Sequence, residues 1–555
     1  MLERTLNTQF QPSTNLKGQV AGANWVFVLP SLELGQVAYI GLPSANVLSM
    51  VARHAKHVVI FYTAPAQQSK ARALIQHQSQ QNISLVPISA QSSLPVGAQS
   101  FDLVVLSSSQ QLLQSRGEIQ RVLRPDGFVY VLEETQSVDL PGFSGPLRLW
   151  NTPVYGEMRT AVPMDDRDTI DYFLSNSLYS SALKIRPFRS LDKLVNQRLA
   201  QVSQRQSALF RFTEHSFDGP PQYIQQIAQE SGIDVAGYRW GLAAHGEYTS
   251  RKVLMFLFKP GHQEPEYIVK ITRDPAMNNR LENEQHALKL LHELDIVDSG
   301  IVPKLEFAGN HGNLAIVGES IIEGAPFRSR TSATAGCPYF HNAIDWLSDL
   351  AEQTANRQQA SAAEVASGLN DLLQRFTEIY RVSPAHQQRL AELIARLGDY
   401  PDPFPLVYQH GDPGVWNLLV TPDSRVAFLD WEAFEQFGMP LWDVFYLMRS
   451  FAVGVARRQG TSDSLRGLLS LMLSESPLSA YLEQAVREYR ERLGLPQALV
   501  EPLFYTCWMH RSLKEATRLP AERIEQGHYI ALLRMCLDNP NAPLLKAMSS
   551  QLIQV

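Results

Sequence analysis

Cysteine is scarce in this chain: Cys337, Cys507 and Cys536 are the only three, far apart and odd in number. No pair has the spacing of a metal site and no disulfide framework is possible, which points to a reducing compartment. Long apolar runs are missing too. The most membrane-like stretch, 25–42, is broken by Pro30, Glu33 and Gln36, well short of the ~20 residues a spanning helix needs. The opening MLERTLNTQF carries Glu3 and no apolar core, unlike a secretory leader, so a soluble cytoplasmic protein is expected. Basic excess is absent as well. Lys plus Arg number 49 against 55 Asp plus Glu, a formal net charge of −6, which speaks against a nucleic-acid partner. No repeat with a period of roughly 20–50 residues stands out.

What is present is enough apolar material for several cores: 45% of 555 residues, with 9% aromatic and only 19% charged. At roughly 150 residues per domain the length suggests two to four folded units. In the first quarter, short β-rich runs alternate with helical stretches. VAYIG (37–41), HVVIFY (57–62), ISLVPI (83–88), FDLVVLS (101–107) and FVYVLEE (128–134) read as strands, with helices at 44–55 and in the Gln-rich segment after 62. Apolar strands separated by helices argue for a parallel α/β sheet. The stretch 136–215 is less regular: PGFSGP (141–146) is loop-like, LDKLVNQRLAQVSQ (191–204) reads as a helix and ALFRFTEH (208–215) as a closing strand.

SFDGPPQ (216–222) marks the expected domain boundary. Beyond it come a short helix (YIQQIAQE), a strand-turn-strand (237–258), a third strand in EYIVKIT, a helix over 279–294 and further strands through LAIVGESII. After Gly324 the pattern is helical apart from one hairpin near 418–430. The expected division is 1–215, an N-terminal α/β domain; 216–325, an antiparallel β-lobe; and 326–555, a helical lobe.

The most informative stretch is YQHGDPGVWNLLVTPDSRVAFLDWE (408–432). LLV and VAFL are apolar strands joined by TPDSR, a credible hairpin turn. Asn417 enters the first strand and Asp430 leaves the second, which sets them side by side on strands ~4.8 Å apart. A carboxamide oxygen and a carboxylate so placed suit a hard cation such as magnesium, with substrate phosphates in other positions. Asp412 lies in the loop feeding the same end and is placed to accept a proton from an incoming hydroxyl.

The pattern H-G-D-x4-N, a strand hairpin and D-W-E resembles the aminoglycoside phosphotransferase and choline kinase superfamily, over roughly 223–555. The resemblance implies a two-lobed, protein-kinase-like α+β fold that uses ATP and Mg²⁺. It makes Asp412 the catalytic base and Asn417 and Asp430 the metal ligands. It also requires a phosphate-gripping lysine and an acid on the next helix. Lys270, the only charge in YIVKI, fills the first position, with an edge-strand lysine as the plain alternative. Glu284 is preferred for the second, with Glu282 as the competitor. AAHGEYTSR (243–251) takes the place of the phosphate-covering turn, through Gly246, Thr249 and Ser250. Backbone near Glu319 and Ser320 would meet adenine. Asp443 reads as a brace of the catalytic loop and His410 as an orienting residue.

The order strand, Gly turn, helix, strand, then F-D-L-V-V and R-P-D-G, is similar to class I S-adenosylmethionine-dependent methyltransferases over about 35–135. The resemblance implies a Rossmann-like fold. Only Gly41 of the expected glycines is present, followed by Leu42, Pro43 and Ser44. Phe61, Tyr62 and Thr63 stand where an acid would bind ribose hydroxyls. A Rossmann-like domain without cofactor is therefore favoured over one that binds S-adenosylmethionine.

The expected activity is ATP-dependent phosphoryl transfer to a hydroxyl of a small molecule or glycan. PGVWN…DWE…GMPLWD is similar to superfamily members of bacterial surface-polysaccharide pathways, which favours a sugar. The alternatives are an aminoglycoside or amino-alcohol kinase and a non-catalytic scaffold of two degenerate enzyme domains. The sequence leaves the oligomeric state open.

Overall fold

The structure, a computed structural model, describes residues 23–63, 67–76, 81–89, 93–135, 138, 142–154, 157–176, 205–212, 217–245, 252–332, 334, 336–355 and 359–549. These form two compact units: 23–281 with Leu305–Ile321, and Glu282–Lys304 with 322–549. The expected helix at 191–204 lies outside the described residues.

Five parallel strands start the first unit: β1 (Gly35–Ile40), β2 (Ala55–Thr63), β3 (Ile83–Ile88), β4 (Phe101–Ser108) and β5 (Leu123–Glu133). Their order, β3-β2-β1-β4-β5, is that of doubly wound nucleotide-binding sheets. Val37 to Ile40 are all buried, as expected of a central parallel strand covered on both faces. The helix Ala45–His54 begins where the Ser44 hydroxyl accepts the Val47 N–H, and Val47, Leu48 and Val51 form its buried stripe. Gly41 leaves β1 at φ +113°, and a Cβ there would stand 3.3 Å from Ser107 Oγ at the end of β4. This is the turn at the switch of strand order.

The remaining strands are β6 (Leu147–Val154), β7 (Glu157–Pro163), β8 (Arg205–Arg211), β9 (Arg239–Ala243), β10 (Val253–Phe258), β11 (Tyr267–Ile271), β12 (Leu305–His311) and β13 (Leu314–Ser320). All pair antiparallel, and they extend the same sheet to thirteen strands, ending β5-β8-β6-β7-β9-β10-β11-β13-β12. The antiparallel strands up to residue 211 join those that follow through β7 on β9. This join pairs Thr160 with Ala243 and Ala161 with Leu242, and Ala244 N donates to Arg159 O. Phe173 of the helix Arg167–Ser175 packs directly against the backbone of Gly241 in β9, a contact that any side chain at Gly241 would block. Along β10, Val253, Met255 and Leu257 enter one core while Phe256 and Phe258 enter the other, the two-residue period of a strand buried on both faces.

The second unit is mainly helical. The helices Trp442–Arg458 and Val500–Ala516 are buried on nearly every side, which places them at its centre. Val407–Gln409 pairs with Glu435–Gly438, and the hairpin Leu418–Val420 with Val426–Phe428 gains a third strand, Ala325–Pro326. The β content here exceeds the single hairpin expected from the sequence. The extra strands are two to four residues long and too short to carry a periodic signal.

Candidate active site

The His-Gly-Asp motif is held by hydrogen bonds to its backbone. Strand Val407–Gln409 delivers His410, which is fully buried. The Asp443 carboxylate, at the start of the helix Trp442–Arg458, accepts the N–H of His410 at 2.6 Å and of Gly411 at 3.2 Å. Burial raises the Asp443 pKa, while His410, Arg511 and these N–H donors oppose the rise. Gly411 has φ +74°, and a Cβ there would overlap the Ala433 carbonyl, so the middle residue of His-Gly-Asp must be glycine. His410 Nε2 lies 2.9 Å from the Leu429 carbonyl, and its Nδ1 accepts the Asp412 N–H at 3.2 Å. The ring thus ties the Asp412 backbone to the far strand of the hairpin.

Asp412 is partly exposed. The Asn417 amide donates from Nδ2 to the Asp412 carbonyl at 2.9 Å, and Leu429 N donates to Asn417 O at 2.9 Å. Asn417 and Asp430 therefore flank the open end of one hairpin, whose last registered pair is Leu418 with Phe428. With Nδ2 turned toward Asp412, Asn417 Oδ1 accepts no hydrogen bond among the described residues. A neutral oxygen beside a carboxylate is a donor set for a hard divalent cation that keeps its other positions for water or phosphate, and magnesium fits it.

Asp430 has φ +66° and ψ +65°, a left-handed conformation that costs a non-glycine residue roughly 1–2 kcal/mol. Trp431 holds it there. Its N–H donates to Glu284 Oε1 at 2.9 Å, its indole Nε1 donates to Phe428 O at 3.0 Å, and its ring lies 4.4 Å from that of His410. Of the two acids weighed for the helix Asn278–Leu291, Glu284 is fully buried and Glu282 is exposed. The carboxylate of Glu284 thereby meets the residue after Asp430.

In the first unit, Lys270 of β11 places Nζ 2.8 Å from Glu319 Oε2, with both side chains buried. Lys270 registers opposite Val317, so Glu319 is its diagonal neighbour on the same sheet face. Glu319 is registered with Ile268 on one side and Leu305 on the other, and Ser320 with Tyr267. The sequence assigned Glu319 a backbone role, and the engagement of its carboxylate was missed. Gly246, Thr249 and Ser250 lie outside the described residues.

Further side chains around the loop had no motif to announce them. Trp416, 47% exposed, sits between Asp412 and Asn417 with its ring 6.2 Å from Tyr446. Val415 N donates to Ser450 Oγ at 3.1 Å, which docks the loop on the helix face that carries Tyr446 and Arg449.

Comparison with known proteins accords with this organisation. Residues 252–471 match the model of the phosphotransferase enzyme family, and residues 39–131 match that of a methyltransferase domain. No curated protein matches. Similar solved structures include an aminoglycoside phosphotransferase from Streptomyces rimosus in complex with ADP and streptomycin, at 18% identity over 48% of this chain and 90% of that one, TM-score 0.31. Choline kinase LicA from Streptococcus pneumoniae is 16% identical over 53% of this chain and 94% of that one, TM-score 0.32. WbdD is 12% identical over 90% of this chain and 87% of that one, TM-score 0.28. The C-terminal part thus carries a phosphotransferase-family match and the N-terminal part a methyltransferase-domain match.

Proposed function

We propose that the protein is a cytoplasmic, ATP- and magnesium-dependent kinase that transfers the γ-phosphoryl group to a hydroxyl of a small molecule or glycan, with a sugar of surface-polysaccharide metabolism as the preferred acceptor. The observation that carries this reading is the single backbone frame, built by His410, Asp443 and Trp431, that holds Asp412, Asn417 and Asp430 at one end of a hairpin. In this reading the division into 1–215, 216–325 and 326–555 separates a methyltransferase-like domain from the two kinase lobes.

Asp412 orients the acceptor hydroxyl and takes its proton as the oxygen attacks the γ-phosphorus. The bond to the β–γ bridging oxygen breaks, and ADP leaves with that electron pair. Asn417 and Asp430 hold the magnesium, which when bound neutralises charge on the phosphates. Lys270 binds the phosphates and Glu284 orients the site. Gly246, Thr249 and Ser250 cover the phosphates, and the end of β13 at Glu319 and Ser320 is the candidate adenine edge. Most of the rate then comes from positioning. Asp412→Asn is expected to lower kcat by about 10²–10⁴-fold while changing the Kd for ATP little. An equal loss in both would show that Asp412 serves binding rather than proton transfer.

For the N-terminal part we favour a Rossmann-like domain that does not bind S-adenosylmethionine. Phe61, Tyr62 and Thr63 close β2 without a carboxylate for a ribose. Equilibrium dialysis with labelled S-adenosylmethionine tests this, and retention at micromolar concentration would contradict it.

A further inference from the structure

Two arginines beside the catalytic loop are buried. Arg449 is 8% exposed and Arg511 7% exposed, and among the described residues neither guanidinium forms an ion pair. Each lies over a tyrosine ring instead, Arg511 over Tyr446 at 3.7 Å and Arg449 over Tyr529 at 5.0 Å. The two tyrosines are joined by a 2.9 Å hydrogen bond between their hydroxyls. Stacking of this kind recovers roughly 0.5–2 kcal/mol per cation. Arg449 Nε is buried with no hydrogen-bond partner among the described residues. An incompletely paired buried cation costs several kcal/mol, so the arrangement favours an anion.

The nearby acids are already engaged. Asp443 accepts the His410 and Gly411 N–H groups, and Glu435 stands 3.8 Å from Lys514. Burial raises the Glu435 pKa to about 7 against the pull of Lys514 and Arg511. Burial opposes the charge on Arg511 and Asp412 supports it, which puts Asp412 within electrostatic reach of this cluster. A polycationic acceptor approaching Asp412 would also come into the field of the buried cations Arg449, Arg511 and Lys514.

Trp416 supplies the second, independent observation. Its indole is 47% exposed, although it edges Tyr446 and is followed directly by Asn417. A flat apolar surface at that position suits the C–H face of a sugar ring, whose weakly positive hydrogens meet the negative face of the indole.

We propose, building on the kinase reading, that the acceptor is a sugar bearing a carboxylate or phosphate, with its ring against Trp416 and its anion bound by Arg449 and Arg511 while its hydroxyl meets Asp412. The runner-up class, cationic aminoglycosides, is thereby disfavoured.

The test uses the full-length protein with Mg·ATP and four acceptors: glucose, glucuronate, glucose 6-phosphate and kanamycin. Melting temperature and initial rate are read for wild type, Trp416→Ala, Arg449→Gln and Arg449→Lys. We expect one or both charged sugars to raise the melting temperature and to exceed glucose and kanamycin in kcat/KM by about tenfold or more, with the comparison between them separating carboxylate from phosphate. Arg449→Gln should erase that preference, Arg449→Lys should keep part of it, and Trp416→Ala should raise KM for the charged sugars. Equal or better use of glucose or kanamycin overturns the proposal. So does the absence of any response to both charged sugars in an enzyme that binds Mg·ATP, or an Arg449→Gln defect that falls on Mg·ATP affinity instead. Failure of wild type to bind Mg·ATP at all would be a failure of the kinase reading itself.

Discussion

The Lys270 ammonium and the Glu319 carboxylate meet at 2.8 Å across adjacent strands, both buried. The lysine proposed to grip phosphates is thus held by a carboxylate of its own sheet, two residues along from its register partner. Removing one member of a buried pair costs about 3 kcal/mol. Glu319→Gln and Lys270→Met should each destabilise by about that amount, and the double variant by clearly less than the sum. Urea unfolding of the three variants checks this, and additive losses would contradict the coupling.

A second expectation concerns Asp443. Two backbone N–H groups of the catalytic loop end on its carboxylate. Asp443→Ala leaves both buried donors unsatisfied and should cost about 3 kcal/mol together with most of kcat. Asp443→Asn keeps one acceptor oxygen and should fall between. Thermal unfolding and steady-state rates read together test this, and an alanine variant as active as wild type would contradict it.

His410 is placed to orient rather than to exchange protons. It faces the Leu429 carbonyl through Nε2 and accepts the Asp412 N–H at Nδ1, the neutral tautomer with both nitrogens used. His410→Phe should lower kcat by about 10²-fold through misplacement of Asp412. The shape of the pH–rate profile should stay as it is. Loss of one limb of that profile would make His410 a proton carrier instead.

Much of this was legible in the sequence, and the rest was not, for physical reasons. The strands 37–41 and 101–107 announce themselves because apolar residues run unbroken where both faces are covered. Lys270 stands out because it interrupts such a run. β6 and β7 escaped notice because Asn151, Arg159 and Thr160 are buried polar residues within them, which blurs the two-residue alternation, and because Pro153 sits at a register shift. The join of Thr160 and Ala161 to β9 is a pairing between distant segments that no local pattern encodes. In the site, Asp412, Asn417 and Asp430 share one short stretch and could be read together. Arg449 and Arg511 sit on separate helices, where each looks like an ordinary helical arginine.

The first unit also carries a pH-sensitive contact. His54 is buried, with Nδ1 3.1 Å from the Leu32 carbonyl, and its pKa is lowered to about 4 by burial first and by Arg53 second. The unfolded chain takes up its proton near pH 6.5, while the folded chain resists until about pH 4. Stability from this residue is therefore complete above pH 6.5 and is lost as pH falls toward 4, by about 3 kcal/mol in all. His54→Asn keeps a donor for Leu32 and does not titrate. Its unfolding midpoint should fall less than that of wild type between pH 7 and 5, and identical slopes would contradict this assignment.

The most direct test of the account is a calorimetric titration of ATP, with and without magnesium, into wild type and into Asp430→Ala. Saturable binding to wild type that needs magnesium, weakened at least about tenfold in Asp430→Ala, is the predicted result. Absence of binding to well-folded wild type, or magnesium-independent binding that is the same in both proteins, would contradict it and favour a non-catalytic scaffold.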